Sequence, residues 1–206
     1  MVEELGRGPG SNPSSAALTL ALDAFADQFR AQVDAAGLPT HEHALHFCIA
    51  LGLQSAWSLP PGAIVFERPG GDRSHTDLWV RAPHDLAIEV KYLRPNPSGS
   101  TRPFPQLYGQ ILADFNKVAR VKATNRLAIV VADRDYVGYI ERSGRGLLPL
   151  RIDDCGQITA SSVASLSQTA QRTAGSHGEW ADLSATLVWS RSVDGYSLLA
   201  WEVAPG

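Results

Sequence analysis

Cysteine is nearly absent from this chain, which has only Cys48 and Cys155 among its 206 residues. The two lie far apart and form no CxxC pair, so neither a disulfide framework nor a zinc finger organises the fold. We therefore expect free thiols and a cytoplasmic protein. No apolar run reaches the ~20 residues of a membrane-spanning helix. The first residues show no basic segment followed by an apolar one, so we expect neither a secretory signal nor a membrane partner.

The composition is that of one globular domain. Hydrophobic residues make up 44% and charged residues 19% of the chain, and this length can bury a full core without covalent staples. The net charge of −3 is unevenly spread, because residues 62–126 carry ten basic and six acidic side chains, a local balance of +4. Such a segment can contact a polyanion such as nucleic acid, or it can be an ordinary solvated surface, and charge alone favours the solvated surface.

Two helices are predicted in the first third of the chain, after a loose leader over residues 1–15. Apolar side chains recur at helical spacing from Leu18 to Val33. A second helix is predicted from a Thr40 cap to about Leu53. We expect its buried side to comprise Ala44, Phe47, Cys48 and Leu51.

Three histidines, His41, His43 and His46, cluster near the start of the second helix. His43 and His46 are three residues apart and could share a metal ion. No third ligand lies at a useful spacing, so solvated histidines are the favoured interpretation.

The middle of the chain predicts strands. Apolar runs at 63–66, 76–81 and 86–93 are strand candidates, and the last two are joined by a turn. A helix is predicted over 105–122. The continuous apolar run at 126–132 then predicts a strand that is buried on both faces.

The rest of the chain predicts a short helix at 136–141, a weaker helix at 161–173 and a β-hairpin over 185–203, turned at Asp194-Gly195. The whole pattern indicates an α/β fold in which a mixed β-sheet is flanked by helices. We expect a single domain over residues 16–206.

Two charged side chains interrupt the apolar strand at 86–93. Glu89 and Lys91 are two residues apart, so both point to one face, while apolar side chains fill the other. Burying them in so apolar a strand costs desolvation free energy unless they pair or hold a ligand. The plainer alternative is a Glu–Lys pair on a half-exposed sheet, with Asp77 near a strand end.

The hydrophobic pattern brings Asp77 beside this pair. Opposed residues in an antiparallel hairpin lie on the same face, so the apolar faces of the two strands coincide only if Leu78 lies opposite Ile88 or Val90. Asp77 then lies opposite one of the two charged residues. The same match requires a connection with an odd number of residues.

Two carboxylates and one ammonium meet in this predicted arrangement. Carboxylates a few ångströms apart repel each other, and a divalent cation relieves that repulsion. Oxygen ligands favour Mg²⁺ or Mn²⁺. A nearby ammonium can orient an attacking water and offset developing negative charge, so the set is suited to metal-assisted hydrolysis of a phosphodiester.

Asp77, followed after eleven intervening residues by Glu89-Val90-Lys91, resembles the active-site signature of the PD-(D/E)XK nuclease superfamily. Thr76 stands where the name-giving proline would be. The resemblance implies that Asp77, Glu89 and the Val90 carbonyl hold Mg²⁺ or Mn²⁺. It implies that Lys91 positions the nucleophilic water.

The predicted order of elements over about residues 40–133 also resembles the restriction-endonuclease-like core of that superfamily. Residues 134–206 would then be a C-terminal decoration, made of an extra helix and the β-hairpin. The resemblance further implies a metal ligand from the helix before the strands, for which Glu42 is the candidate. It also implies a catalytic glutamine on the helix after them, where Gln110 lies one turn beyond Gln106.

Basic side chains near the signature are candidates for contacts to the phosphates of nucleic acid. They follow the strand at 86–93 or lie on the next helix, and they are Arg94, Arg102, Lys117 and Arg120.

The resemblance implies a metal-dependent nuclease that hydrolyses phosphodiester bonds, with DNA as the expected substrate, in defence, repair or element mobility. The alternative is a non-catalytic module that uses the same fold to bind nucleic acid or to assemble with a partner. A hydrolase without metal ranks last, because the chain has no Gly-x-Ser-x-Gly elbow. Cutting both strands of DNA needs two sites, so a homodimer or a larger complex is expected.

Overall fold

A computed structural model of the chain describes residues 13–39, 41–69, 75–81, 84–93, 104–143 and 155–206. The helices are α1 (Ser15–Ala36), α2 (Glu42–Trp57), α3 (Phe104–Ala119), α4 (Arg134–Ser143), α5 (Ala160–Ala164) and α6 (Gln168–Ala174), followed by a 3₁₀ turn at Gly175–His177. The strands are β1 (Ile64–Pro69), β2 (His75–Val80), β3 (Leu86–Leu93), β4 (Asn125–Asp133), β5 (Cys155–Ile158), β6 (Leu183–Val193) and β7 (Tyr196–Pro205). The Thr40 cap and most of the predicted leader lie outside the described residues.

The described strands form one mixed sheet in the order β1-β2-β3-β4-β7-β6-β5. β3 and β4 are parallel, with α3 between them in the chain, and the other neighbouring pairs are antiparallel. The C-terminal hairpin therefore extends the same sheet, because β7 pairs directly with β4. Asp194 and Gly195 both have positive φ at its two-residue turn, which suits the right-handed twist of the strands.

A layer of helices covers each face of the sheet, and each encloses a core of its own. α1 and α2 pack on one face, where Phe25, Phe29 and Ile49 are fully buried. α3, α4 and the short helices pack on the other, where Phe115 of α3 lies 5.5 Å from Trp201 of β7, measured between ring centroids. The mixed sheet flanked by helices is confirmed. Within the described ranges, no helix combines the length and the apolar character needed to cross a bilayer.

The buried side of α2 differs from the predicted one. Phe47 and Leu51 are 61% and 51% exposed, and α2 buries Leu45, Ile49 and Leu53 instead. Apolar residues surround most of this helix, so their spacing does not select a face. The contact with α1 selects it: a Cβ placed on Gly52 would lie 2.5 Å from the backbone nitrogen of Phe25.

Two other elements differ from the prediction. The helix predicted at 161–173 is two short helices, because the hydroxyl of Ser167 accepts a hydrogen bond from the Ala170 N–H and starts α6 afresh. β5 was not predicted, because its four residues are too few to show a period. Cys48 is a free, buried thiol, as expected of a core residue.

Candidate active site

Asp77 lies where β2 and β3 separate. Leu78 pairs with Ile88, so Asp77 faces Glu89, and the five-residue connection at 81–85 has the odd length that the pattern required. Asp77 Oδ2 accepts a hydrogen bond of 2.8 Å from the Val90 N–H, in the place of a carbonyl of the neighbouring strand. The strand register and this hydrogen bond together hold the Asp77 carboxylate beside Glu89.

Glu89 is a carboxylate inside the protein. It is 1% exposed, and its Oε2 accepts a hydrogen bond of 2.7 Å from Lys117 Nζ. Its Oε1 is buried and has no hydrogen-bond partner among the described residues. Burial, and next the charge of Asp77, raise the pKa of Glu89 to about 9, against the opposing effect of Lys117.

Lys117 reaches the same point from α3. Its ammonium lies 2.7 Å from Glu89 Oε2 and 4.0 Å from Asp77 Oδ1, and its side chain is 13% exposed. The sequence had suggested a contact to the phosphates of nucleic acid. The structure places this residue between the two carboxylates of the signature.

Lys91 has different partners. Its Nζ lies 3.2 Å from Asp114 Oδ2 and 3.6 Å from Glu42 Oε1. Burial by itself would lower the pKa of Lys91, but Asp114 and Glu42 raise it above its usual value. Glu42 Oε1 also accepts a hydrogen bond of 2.8 Å from the Tyr92 N–H, which anchors α2 to β3. Lys91 is thus held as an ammonium beside the carboxylates.

Asp114 is a member of this cluster that sequence reasoning missed. It is buried on α3, and burial raises its pKa to about 6 even though Lys91 opposes the shift. A signal was present in the sequence. Asp114 and Lys117 lie one turn apart on α3, and their charges are complementary to Lys91 and Glu89, two residues apart on β3.

His46 also borders the site, and the prediction that it is solvated was wrong. It is 5% exposed, and its Nε2 lies 3.9 Å from Asp77 Oδ2. Burial lowers its pKa, against the opposing charges of Asp77 and Glu42. The reason for its burial is its position one turn beyond Glu42, on the side of α2 that faces the ends of β2 and β3. His41 and His43 are exposed, as predicted.

The remaining candidates lie at the edge of this cluster or outside the described residues. Gln110 is partly buried on α3, one turn before Asp114 and on the same side of the helix. Arg120 is exposed just beyond the end of α3. Arg94 and Arg102 lie outside the described residues.

The charges of the cluster are unbalanced if every group ionises. Among the residues that the structure describes, two ammonium groups, of Lys91 and Lys117, face four carboxylates. Burial first, and the neighbouring carboxylates second, raise the pKa values of Glu89 and Asp114, so bound protons relieve part of the excess. A divalent cation would relieve it equally well.

Oxygen donors for a cation are present, although they are few. No three His, Cys, Asp or Glu side chains converge to hold a metal ion in the part of the chain that the structure describes. Asp77 and Glu89 nevertheless offer adjacent carboxylates, and the unpartnered Oε1 of Glu89 is the kind of buried acceptor that a cation satisfies. Mg²⁺ needs only one or two protein carboxylates, because water fills its other positions. The residues therefore fit a hydrated divalent cation.

No protein-family model matches the chain, and neither a curated protein nor a solved structure matches it.

Proposed function

We propose that this chain is a metal-dependent nuclease that hydrolyses phosphodiester bonds, with DNA as substrate and Mg²⁺ or Mn²⁺ as cofactor. The observation that carries the proposal is the meeting of Asp77, Glu89 and Lys91 on one face of the sheet, where one oxygen of the buried Glu89 has no hydrogen-bond partner among the residues that the structure describes. The PD-(D/E)XK pattern of the sequence supports the same assignment.

Each residue of the signature has a role in this proposal. Asp77, Glu89 and the Val90 carbonyl hold the cation, which would supply an activated water and stabilise negative charge on the phosphate. Lys91 stays protonated between Asp114 and Glu42, so it acts as a fixed positive charge that orients water and substrate. Gln110 is assigned to the same site because it lies one turn before Asp114, on the same side of α3.

The substrate would be held by basic side chains around the site, of which Arg120 is exposed. Arg94 and Arg102 keep their predicted role as phosphate contacts. The same proposal includes a role in defence, repair or element mobility. It also includes a cytoplasmic location and assembly as a homodimer or as part of a larger complex.

A non-catalytic module is the second candidate, and the position of Lys117 favours it. The ammonium already lies between Asp77 and Glu89, so the two carboxylates are partly neutralised without a metal. In this alternative, the ion pairs dock α3 on β3, and the fold binds nucleic acid or a partner without cutting.

The deciding experiment is cleavage of plasmid and single-stranded DNA with Mg²⁺ or Mn²⁺, beside an EDTA control. Glu89→Ala should reduce the cleavage rate about 100-fold or more, because it removes a metal ligand. Glu141→Ala, at an exposed glutamate of α4, is the matched control and should cut like the wild type. DNA binding without cleavage, unaffected by EDTA, would favour the module instead.

A further inference from the structure

Lys117 and Lys91 contact different carboxylates, and this difference indicates different roles. Lys91 pairs with Asp114 and Glu42, which lie on helices. Lys117 pairs with Glu89 and faces Asp77, the two carboxylates that the proposed function assigns to the metal. The ammonium of Lys117 therefore lies where positive charge is needed most when no cation is bound.

The contact between Lys117 and Glu89 is close enough to compete with a metal ion. At 2.7 Å, the ammonium donates a hydrogen bond that occupies one lone pair of Glu89 Oε2, and it also faces Asp77 Oδ1 at 4.0 Å. A divalent cation bound to the same carboxylate would lie within a few ångströms of a positive charge. In a site this buried, such repulsion is strong.

We propose that Lys117 is a built-in counter-cation, which a divalent metal ion must displace from Glu89 before Asp77 and Glu89 can hold it. This inference rests on the proposed function, since it takes the two carboxylates to be metal ligands. Lys117 places a positive charge beside Asp77 and Glu89 and so lowers the affinity of the site for metal. It is not needed as a ligand.

Binding of Mn²⁺ without DNA tests this directly. Titration calorimetry or the electron paramagnetic resonance of free Mn²⁺ would compare the wild type with Lys117→Met, which keeps the apolar stem and removes the charge. We expect the Kd for Mn²⁺ to fall on the order of tenfold in this variant. Lys117→Arg keeps the charge and should stay near the wild-type Kd.

Two further variants make the comparison specific. Lys122→Met removes the charge of an exposed lysine just beyond α3 and should leave the Kd unchanged. Lys117→Gln keeps a hydrogen-bond donor for Glu89, so it serves if the Met variant fails to fold. Circular dichroism and thermal melting establish which variants are folded.

Displacement of the lysine can also be measured in the wild type. The side chain of Lys117 is 13% exposed, so amine acetylation without added metal, followed by mass spectrometry, should modify Lys117 slowly. Saturating Mn²⁺ should raise its modification severalfold, relative to Lys122 as internal reference. A rate that does not change with Mn²⁺ in a protein that binds Mn²⁺ would contradict displacement.

The outcomes separate the two proposals. If the wild type binds Mn²⁺, and folded Lys117→Met and Lys117→Gln bind it equally or more weakly, the inference is overturned and the nuclease proposal stays intact. No binding by the wild type or by any folded variant overturns both. Tighter binding in the two uncharged variants, but not in Lys117→Arg or Lys122→Met, supports the inference.

Discussion

Glu89 makes stability depend on pH in the direction opposite to most acidic residues. Its pKa is raised from 4.5 to about 9, first by burial and then by Asp77. Between these values the folded protein keeps a proton that the unfolded chain has lost. The stabilising contribution is therefore complete below about pH 4.5 and is lost as the pH rises towards 9.

The prediction is a fall in the free energy of unfolding between pH 7 and 8.5, by up to about 1.4 kcal/mol per pH unit, in protein freed of metal by EDTA. Glu89→Gln should flatten this slope, because the amide does not titrate. Asp114 titrates near pH 6, so its proton is lost below this window. Urea unfolding measures the effect, and equal slopes for wild type and Glu89→Gln would show that burial of Glu89 is not its cause.

Asp114 should matter for turnover more than for substrate binding. It holds the ammonium of Lys91 from α3, so Asp114→Asn leaves Glu42 as the salt-bridge partner of Lys91 among the described residues. We expect kcat for DNA cleavage to fall about tenfold with little change in KM. Asp34→Asn, at an exposed residue of α1, is the control. A change confined to KM would place Asp114 in substrate binding instead.

Prediction at the level of residues succeeded where a simple period applied. The alternation of β3 identified Glu89 and Lys91 as neighbours on one face, and the hairpin register added Asp77. His46 and Asp114 were missed, because their burial depends on how α2 and α3 rotate against the sheet. That rotation is set by contacts between distant parts of the chain.

At the scale of elements, the contact between α1 and α2 depends on one small residue. A Cβ on Gly52 would lie 2.5 Å from the nitrogen and 2.7 Å from the Cα of Phe25, and backbone atoms cannot move aside alone. Gly52→Ala should therefore lower the free energy of unfolding by about 2 kcal/mol. Urea unfolding would measure it.

The control for this substitution is Gly175→Ala. Gly175 has open space around its Cβ position and a negative φ, so the change should stay within about 0.5 kcal/mol. Equal effects of the two substitutions would mean that α1 and α2 can separate without loss. The same contact explains why the spacing of apolar residues did not predict the buried side of α2. Gly52, rather than the apolar residues, marks the side that faces α1.

At the scale of the whole molecule, the C-terminal hairpin belongs to the central core. β7 pairs with β4 along the length of the strand, and its Trp201 is fully buried against α3. A chain that ends at residue 182 would leave β4 without this partner. We expect it to show no cooperative thermal transition by circular dichroism, and a cooperative melt would show that the first 182 residues fold alone.

The order of helices and strands could largely be predicted, because the longer elements carry clear periods of 3.6 or 2. The position of the hairpin beside β4 could not, since a sequence does not state which strands pair when they are distant in the chain. The short β5 and the break between α5 and α6 were missed for a different reason. Few residues define them, and side-chain hydroxyls rather than apolar spacing start the helices.

The two ion pairs between β3 and α3 also disfavour incorrect packing of α3 on the sheet. Glu89 meets Lys117 and Lys91 meets Asp114, so the charges alternate along both elements. If α3 slid by one turn, Lys117 would approach Lys91, and two buried ammonium groups would repel each other. The slide would also leave buried charges unpaired, which costs several kcal/mol. The residues proposed for chemistry thus also widen the energy gap between the native packing and its nearest competitor.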